Sequence, residues 1–369
     1  MKCLRLSSAV VVGACSWILV SQLSLADDPR TAVQSLPGGA DAQFVISSPG
    51  SYYLSNNITG VAGKSGIRVA SDSVIIDLNG FALLGVPGSD DGITTEGGTT
   101  LYNGAVLNGS AQGWGRDGLN MGNQRNARVV GVHASDNGRG GITTSSDCTL
   151  SQCTAAHNNS YGISVYQSCT IKGCTAFENG AGGMQASDSS VFVGCSSVNN
   201  EGDGLKVISG AGTFEDCTVQ ANHGNGIVLF NNSTGRGGSV ANCTATENFG
   251  SGISAQGASK GVTISRCTVS SNGVDGIRVG ANSSVQDNTA NFNKGSGVRA
   301  SGSDNRIDGN NATRNHKGID TDSGGNLIVR NSASGNVVNY EFTGVNTFGP
   351  TNVLTGQISD NNPWRNFNY

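Results

Sequence analysis

Residues 169–180 read CTIKGCTAFENG. Twenty-one residues earlier, 148–159 read CTLSQCTAAHNN, and twenty-one later, 190–201 read SVFVGCSSVNNE. The beat extends far beyond these lines. A glycine followed by an aliphatic residue or Met begins at Gly66, Gly92, Gly118, Gly141, Gly162, Gly183, Gly204, Gly226, Gly252, Gly276, Gly297 and Gly318, at intervals of 21 to 26 residues. Asparagine keeps the same period at Asn137, Asn158, Asn179, Asn200, Asn222, Asn248, Asn272, Asn293, Asn315 and Asn336. Cysteine keeps it at Cys153, Cys174, Cys195, Cys217, Cys243 and Cys267, and that column continues as Asn288, Asn310 and Asn331.

A fixed period of this length is the mark of a solenoid. Around each Gly-Ile the pattern alternates apolar and polar, as in GISV, GLKV and GIRV. That is the period of a strand. The Asn and Gly clusters between these segments are turn chemistry. A unit of about 21 residues is too short for four separate strands with turns, and fits one coil of three short strands stacked ~4.8 Å above the last. The expected fold is therefore all-β, a parallel β-helix of about twelve coils. Ile, Val, Leu and Phe face its core. The Asn and Cys columns are structural ladders, with each Asn amide satisfying backbone groups at a bend.

The ends depart from the beat. Lys2 and Arg5, the apolar run to Val20 and the small residues Ser24 and Ala26 read as an export signal over residues 1–26. Residues 27–65 are expected to cap the first coils, 66–336 to form the repeats, and 337–369 to close the far end. No later stretch is long and apolar enough for a membrane span. A secreted or periplasmic chain follows from the leader. Only 13% of residues are charged, the net charge is −4, and no basic stripe appears, which disfavours a nucleic-acid partner. Cys3 and Cys15 would leave with the leader. Of the remaining eight cysteines, six share one inward column, and parallel Cβ vectors at ~4.8 Å separation suit free thiols better than disulfides.

The start FVISSPGSYYLSNNI, the VIIDLNGFAL segment, the two ladders and the close NPWRNF resemble secreted right-handed parallel β-helix proteins of the pectin-lyase-like superfamily. The nearest likeness is to bacterial secreted β-helix proteins of the kind found in planctomycetes. The resemblance covers nearly all of the expected mature chain and implies the fold. It leaves activity open, because the superfamily includes lyases, inverting hydrolases, epimerases, tailspikes and adhesins.

The chemistry-bearing residues are sparse. Asp90-Asp91 is the nearest approach to a hydrolase carboxylate pair, but Asp before Gly-Ile/Leu recurs at Asp117, Asp203 and Asp275, as a turn residue would. No complete catalytic constellation is recognised. The outward residue after Gly-Ile is basic at Arg68, Lys206, Arg278 and Arg299. With Asp203 and Asp275, the last three are a candidate groove for an acidic sugar, against a solvated face of local ion pairs. Residues 109–118, GSAQGWGRDG, read as an insertion offering Trp114, Arg116 and Asp117. Together with Tyr161 they are a candidate sugar-stacking loop, against a Trp packed on a neighbouring coil. The four histidines share no metal-ligand spacing, so no metal is assigned. No cofactor is assigned, although lyases of this fold often use Ca2+ held by carboxylates. Two functions are weighed. One is a non-catalytic surface, adhesive or glycan-binding scaffold partnered by a polysaccharide or cell-surface glycan. The other is a lyase or glycoside hydrolase acting on an acidic polysaccharide.

Overall fold

The computed structural model describes residues 29–230, 237–256, 261–353 and 361–369. The expected leader lies outside the described residues. The chain winds as a parallel β-solenoid. One 14-stranded parallel sheet runs the length of one face, from Ala42–Ile46 to Val338–Phe342. The other two strands of each coil join a second, 28-stranded sheet. A single coil shows the plan: Tyr161–Gln167 lies in the first sheet, then Thr170–Lys172 and Thr175–Phe177 in the second. Each pairs in register with the coil above, for example Ile163 with Met184, Ile171 with Phe192 and Ala176 with Ser197. Fourteen rungs at ~4.8 Å make a rod about 60 Å long. Twelve rungs carry the Gly-aliphatic pairs. The other two are Ala42–Ile46 and Val338–Phe342, which lack the pair and so escape a count based on it. Among the described residues there is no α-helix, and no helix long and apolar enough to cross a membrane.

The strict alternation around each Gly-Ile turns alternate side chains inward, as with Ile163 and Val165. Ile142, Ile163, Met184, Leu205, Ile227 and Ile253 form one unbroken inward column, all fully buried. Each contributes about 1.5–3 kcal/mol relative to exposure. On the second strand the column widens to Phe192 and Phe214, stacked at 4.9 Å with 13° between ring planes. On the third it narrows to Ala155, Ala176, Ala245 and Ala290. That taper lets the chain turn back toward the first sheet.

The corners carry the polar groups. Asn158 donates from Nδ2 to Oδ1 of Asn179, and the backbone N–H of Asn158 donates to the same oxygen. The pattern repeats through Asn200, Asn222, Asn248 and Asn272. The cysteine column occupies the equivalent site at the preceding corner of each coil. Its thiols donate to backbone carbonyls, as Cys195 does to Ile171, and Cys267 hands over to the side chain of Asn288. All eight cysteines among the described residues are buried and free. Cys148 and Cys169, a second short column by their spacing, begin a third ladder that runs on to Ser190 and reappears as Ser283, Asn305 and Asn326.

The left-handed bend falls on the residue just before each ladder position, including His157 (φ 54), Glu178 (φ 53) and Ala221 (φ 53). The glycine of Gly-Ile has a different reason. Its φ is not positive, but a Cβ on Gly162 would lie 2.7 Å from Nδ2 of Asn179 and 2.9 Å from the carbonyl oxygen of Gly183. It is glycine because the ladder amide of the next coil fills that space.

Candidate functional site

The outward row of the 14-stranded sheet is set by the residue after each Gly-Ile. In register it reads Arg68, Thr94, Asn120, Thr143, Ser164, Gln185 and Lys206 over the first seven of these rungs. It continues as Val228, Ser254, Arg278, Arg299 and Asp320. Above the first part lie three adjoining depressions. One of about 370 Å³ centres on Arg68, Asp91 and Arg116. A second, of about 250 Å³, is lined by Asp117, Arg139, Tyr161 and Gln185 and shares Asn120 with the first. A third, of about 410 Å³, shares Thr143, Ser164 and Gln185 with the second and ends at Ile208. Together they form one groove of about 29 Å along the rod, six rung spacings.

Its two banks differ in chemistry. The polar bank is made by Asp91 and Asp117, two positions before an inward aliphatic, and by Arg139, Ser160 and Tyr161 on the coils that follow. Asp91 accepts the N–H of Asp117 at 2.9 Å, and Asp117 accepts the N–H of Gly140 at 2.7 Å. Asp203 and Asp275 repeat this with the N–H groups of Asn225 and Ser296. The recurring Asp before Gly-Ile/Leu is thus a corner acceptor for the next coil. Asp117 is nevertheless buried enough that desolvation raises its carboxyl above the usual range, with the Asp91 carboxylate adding to it. The Gly140 N–H and the guanidiniums of Arg139 and Arg116 act in the opposite sense. The opposite bank is apolar. Tyr166, Ile208 and Phe230 are 56%, 41% and 52% exposed and stand in one column over four rungs, with Ser187 between the first two.

Arg116, Asp117 and Tyr161 therefore meet in the groove, but Trp114 does not. Trp114 is 1% exposed. Its ring lies against the Cα positions of Gly60, Gly66 and Gly92 in the preceding coils, and its Nε1 donates to the carbonyl of Leu83 at 3.1 Å. It is a core residue, which corrects its reading as an exposed stacking ring. Residues 109–118 also do not project as a loop. Ser110–Gln112 belong to the strand Ala105–Gln112, paired to Ala82–Leu84 on one side and to His133–Ser135 on the other.

The basic row divides. Lys206 closes the groove and is held by Asp203 at 2.9 Å. Val228 and Ser254 separate it from Arg278 and Arg299, which sit on adjacent rungs beyond the three depressions. Arg299 pairs with Asp322 at 2.9 Å and faces Asp320 at 3.7 Å. Arg278 lies against the side-chain amide of Gln256. Asp275 is 1% exposed and serves the backbone. These five residues form no single cluster. Within the groove, Arg68 lies between Asp41 and Glu96, and Arg116 faces Asp91 at 3.9 Å. Among the described residues no group of three His, Cys, Asp or Glu side chains is placed to hold a metal ion.

Reading the outward row only for its charges missed the floor of the groove. The uncharged members Thr94, Asn120, Thr143, Ser164 and Gln185 were visible as the residues following successive Gly-aliphatic pairs. The apolar bank carried a fainter signal, two or three positions further along each strand.

In sequence, the pattern of the family described as "Right handed beta helix region" matches residues 45–191, 170–263 and 251–363. No curated protein matches in sequence. Among solved structures, the A-module of the Azotobacter vinelandii mannuronan C-5 epimerase AlgE4 is similar at 14% identity and a TM-score of 0.51, over 79% of this chain and 84% of that one. The catalytic domain of a GH87 alpha-1,3-glucanase in complex with nigerose is similar at 10% identity and a TM-score of 0.51, over 76% of this chain and 59% of that one. At these identities the likeness is one of fold. From the family match over most of its length, the chain belongs to the right-handed β-helix family.

Proposed function

We propose that the protein is an exported glycan-binding scaffold, whose ligand lies along the groove between Arg68 and Lys206. The observation that carries this reading is the groove's two-sided chemistry. A floor of hydroxyl and amide groups (Thr143, Ser164, Gln185) runs between a polar bank and an apolar bank. A sugar chain has the same division, with hydroxyls at its edges and C–H surfaces on its ring faces. Polar groups fix its orientation and apolar side chains cover its rings. The folded epimerase and glucanase relatives act on polysaccharides by their names, which accords with this reading.

The test is a panel of polysaccharides titrated against the wild-type protein and Ser164→Arg, which fills the floor from an outward position. Binding is expected with the wild type and lost with Ser164→Arg. Thr263→Arg, on an exposed strand of the other sheet, is expected to bind as the wild type does. Binding that survives Ser164→Arg places the ligand elsewhere.

A second reading is favoured by one observation. Asp117, its carboxyl raised by burial, shares a depression with Tyr161 and Arg139. A carboxyl tuned upward beside a phenol and a guanidinium is suited to proton transfer. Release of unsaturated or newly reducing ends by the wild type, abolished in Asp117→Asn, would make the groove an active site.

A further inference from the structure

The three depressions of the groove are lined by three guanidiniums and five carboxylates, so the groove carries an excess of two negative charges. Its cations are also already engaged. Arg68 is bracketed by Asp41 and Glu96, Arg116 faces Asp91, and Arg139 lies within electrostatic reach of Asp117. At the downstream end, Lys206 is held by Asp203. A polyuronate entering here would bring a carboxylate on each residue. It would have to break these pairs or sit against unneutralised carboxylates, and like-charge juxtaposition is strongly unfavourable. The third depression has no charged lining residue at all. There Gln185 donates from Nε2 to Oγ of Ser164 at 3.0 Å, while Tyr166 and Ile208 stand on the bank two rungs apart. An exposed column of Tyr166, Ile208 and Phe230 beside an uncharged polar floor matches a ligand that presents C–H faces and hydroxyls and no charge.

We infer that the groove selects an uncharged, hydroxyl-rich glycan and disfavours polyuronates, with Tyr166 and Ile208 as its ring-stacking bank. This rests on the glycan-binding reading above and adds the ligand class. The basic residues after Gly-Ile look, in sequence, like a grip for acidic sugar. In the fold each of those in the groove is matched by a carboxylate from its own or a neighbouring coil.

The deciding experiment is calorimetric titration of the full chain with length-matched neutral glucans, xylans and mannans, and with polygalacturonate and alginate. Each is run at low and at physiological salt, with EDTA and with added Ca2+. The expected result is affinity at least about tenfold higher for one neutral glycan than for either polyuronate, narrowing as salt screens the repulsion. Tyr166→Ala is expected to weaken the neutral glycan about fivefold or more without lowering the melting temperature. The double variant Asp41→Asn, Glu96→Gln frees Arg68 and is expected to strengthen polyuronate binding. Polyuronate affinity equal to or above that of every neutral glycan, with or without Ca2+, overturns the selectivity while leaving the glycan-binding reading intact. An unchanged neutral affinity in Tyr166→Ala overturns the stacking bank. Absence of binding to every glycan overturns the glycan-binding reading itself, and the selectivity with it.

Discussion

Asn179 donates from Nδ2 to Oδ1 of Asn200 at 2.9 Å, and the same oxygen accepts the backbone N–H of Asn179 at 3.0 Å. Nδ2 of Asn179 also reaches back to the carbonyl of Ala155 at 3.1 Å. One amide thus touches three successive coils. Asn179→Ala would leave the backbone N–H and amide of Asn158 without their acceptor, and the carbonyl of Ala155 without its donor. Each orphaned buried group carries a penalty of about 1–3 kcal/mol. A loss of roughly 3 kcal/mol is expected in urea unfolding. A loss below about 1 kcal/mol would show that single ladder amides are dispensable.

The cysteine column has the same architecture with weaker donors. The neighbouring thiols, and then burial, hold Cys174 and Cys195 well above the usual thiol range. The thiol contacts act in the opposite sense on Cys148, Cys153, Cys217 and Cys267, so burial, common to all of them, is what opposes thiolate, the reactive form, and keeps a reagent out. The native protein is expected to resist a thiol reagent and to expose all eight buried cysteines of the two columns on unfolding. Cys267→Asn would extend the ladder that begins at Asn288, and its stability is expected within about 1 kcal/mol of wild type. Disulfide-linked peptides from unreduced native protein would contradict the reading of the column as free thiols.

The bends allow a paired test of backbone strain. Gly173 has φ +58 and nothing within 4 Å of the place a Cβ would occupy. Gly173→Ala therefore introduces only left-handed strain, and a loss of about 1 kcal/mol is expected. Ala221 already bears that strain at φ 53. Ala221→Gly is expected to raise stability by roughly 0.5 kcal/mol, because relief of strain is partly offset by the added freedom of the unfolded chain. Thermal unfolding of the two variants should move in opposite directions.

Two buried carboxylates should respond to acid with opposite signs. Burial opposes ionisation of Asp308, but hydrogen bonds from Arg330 and Arg306 outweigh it and hold the carboxyl below the ordinary range. A depressed folded value means that its contribution is present above the unfolded pKa of ~3.9 and is lost as pH falls through the lower, folded value. Asp275 is the reverse. Burial raises its carboxyl, and its Oδ2 has no hydrogen-bond partner. The folded protein is therefore penalised at neutral pH and recovers as pH falls through the raised value toward ~3.9. Asp275→Asn is expected to stabilise at pH 7 and to lose that advantage in acid. Asp308→Asn is expected to destabilise at pH 7, with the difference shrinking only at lower pH. Unfolding curves from pH 7 to pH 3 check both.

The inward columns were plain in the sequence, because Ile163, Met184 and Leu205 recur with the period of a coil and do nothing except fill its core. The ladders were plain for the same reason. Other features depend on contacts between coils, which a linear reading does not pair. The carboxylates that neutralise Arg68 and Arg299 stand on neighbouring coils, Glu96 after Arg68 and Asp322 after Arg299. Read singly, those arginines looked available for an acidic ligand. Trp114 was misplaced for a related reason. Its recess is made by Gly60, Gly66 and Gly92, two of them already marked as strand-start glycines. A run of absent side chains beneath a tryptophan is a signal for burial, but only once the stacking order is known. The left-handed bends escaped notice because Glu178, Ala221 and Phe292 are not residues that advertise them.

The three corner ladders keep the same spacing from Gly141 to Gly183, and this makes the coil a removable part. Excising residues 162–182 would join Tyr161 to Gly183. It would set Asn158 under Asn200, Cys153 under Cys195 and Cys148 under Ser190, so every corner would still find an acceptor, the last through the Ser190 hydroxyl that already serves Cys169. On the surface, Thr143 would come to lie beside Gln185, with Ser164 and Tyr166 gone. A descendant gene could thus lengthen or shorten its hold on a chain-like ligand in steps of ~4.8 Å by duplicating or losing one coil. In such a lineage, the number of coils would be inherited as a measure of ligand reach.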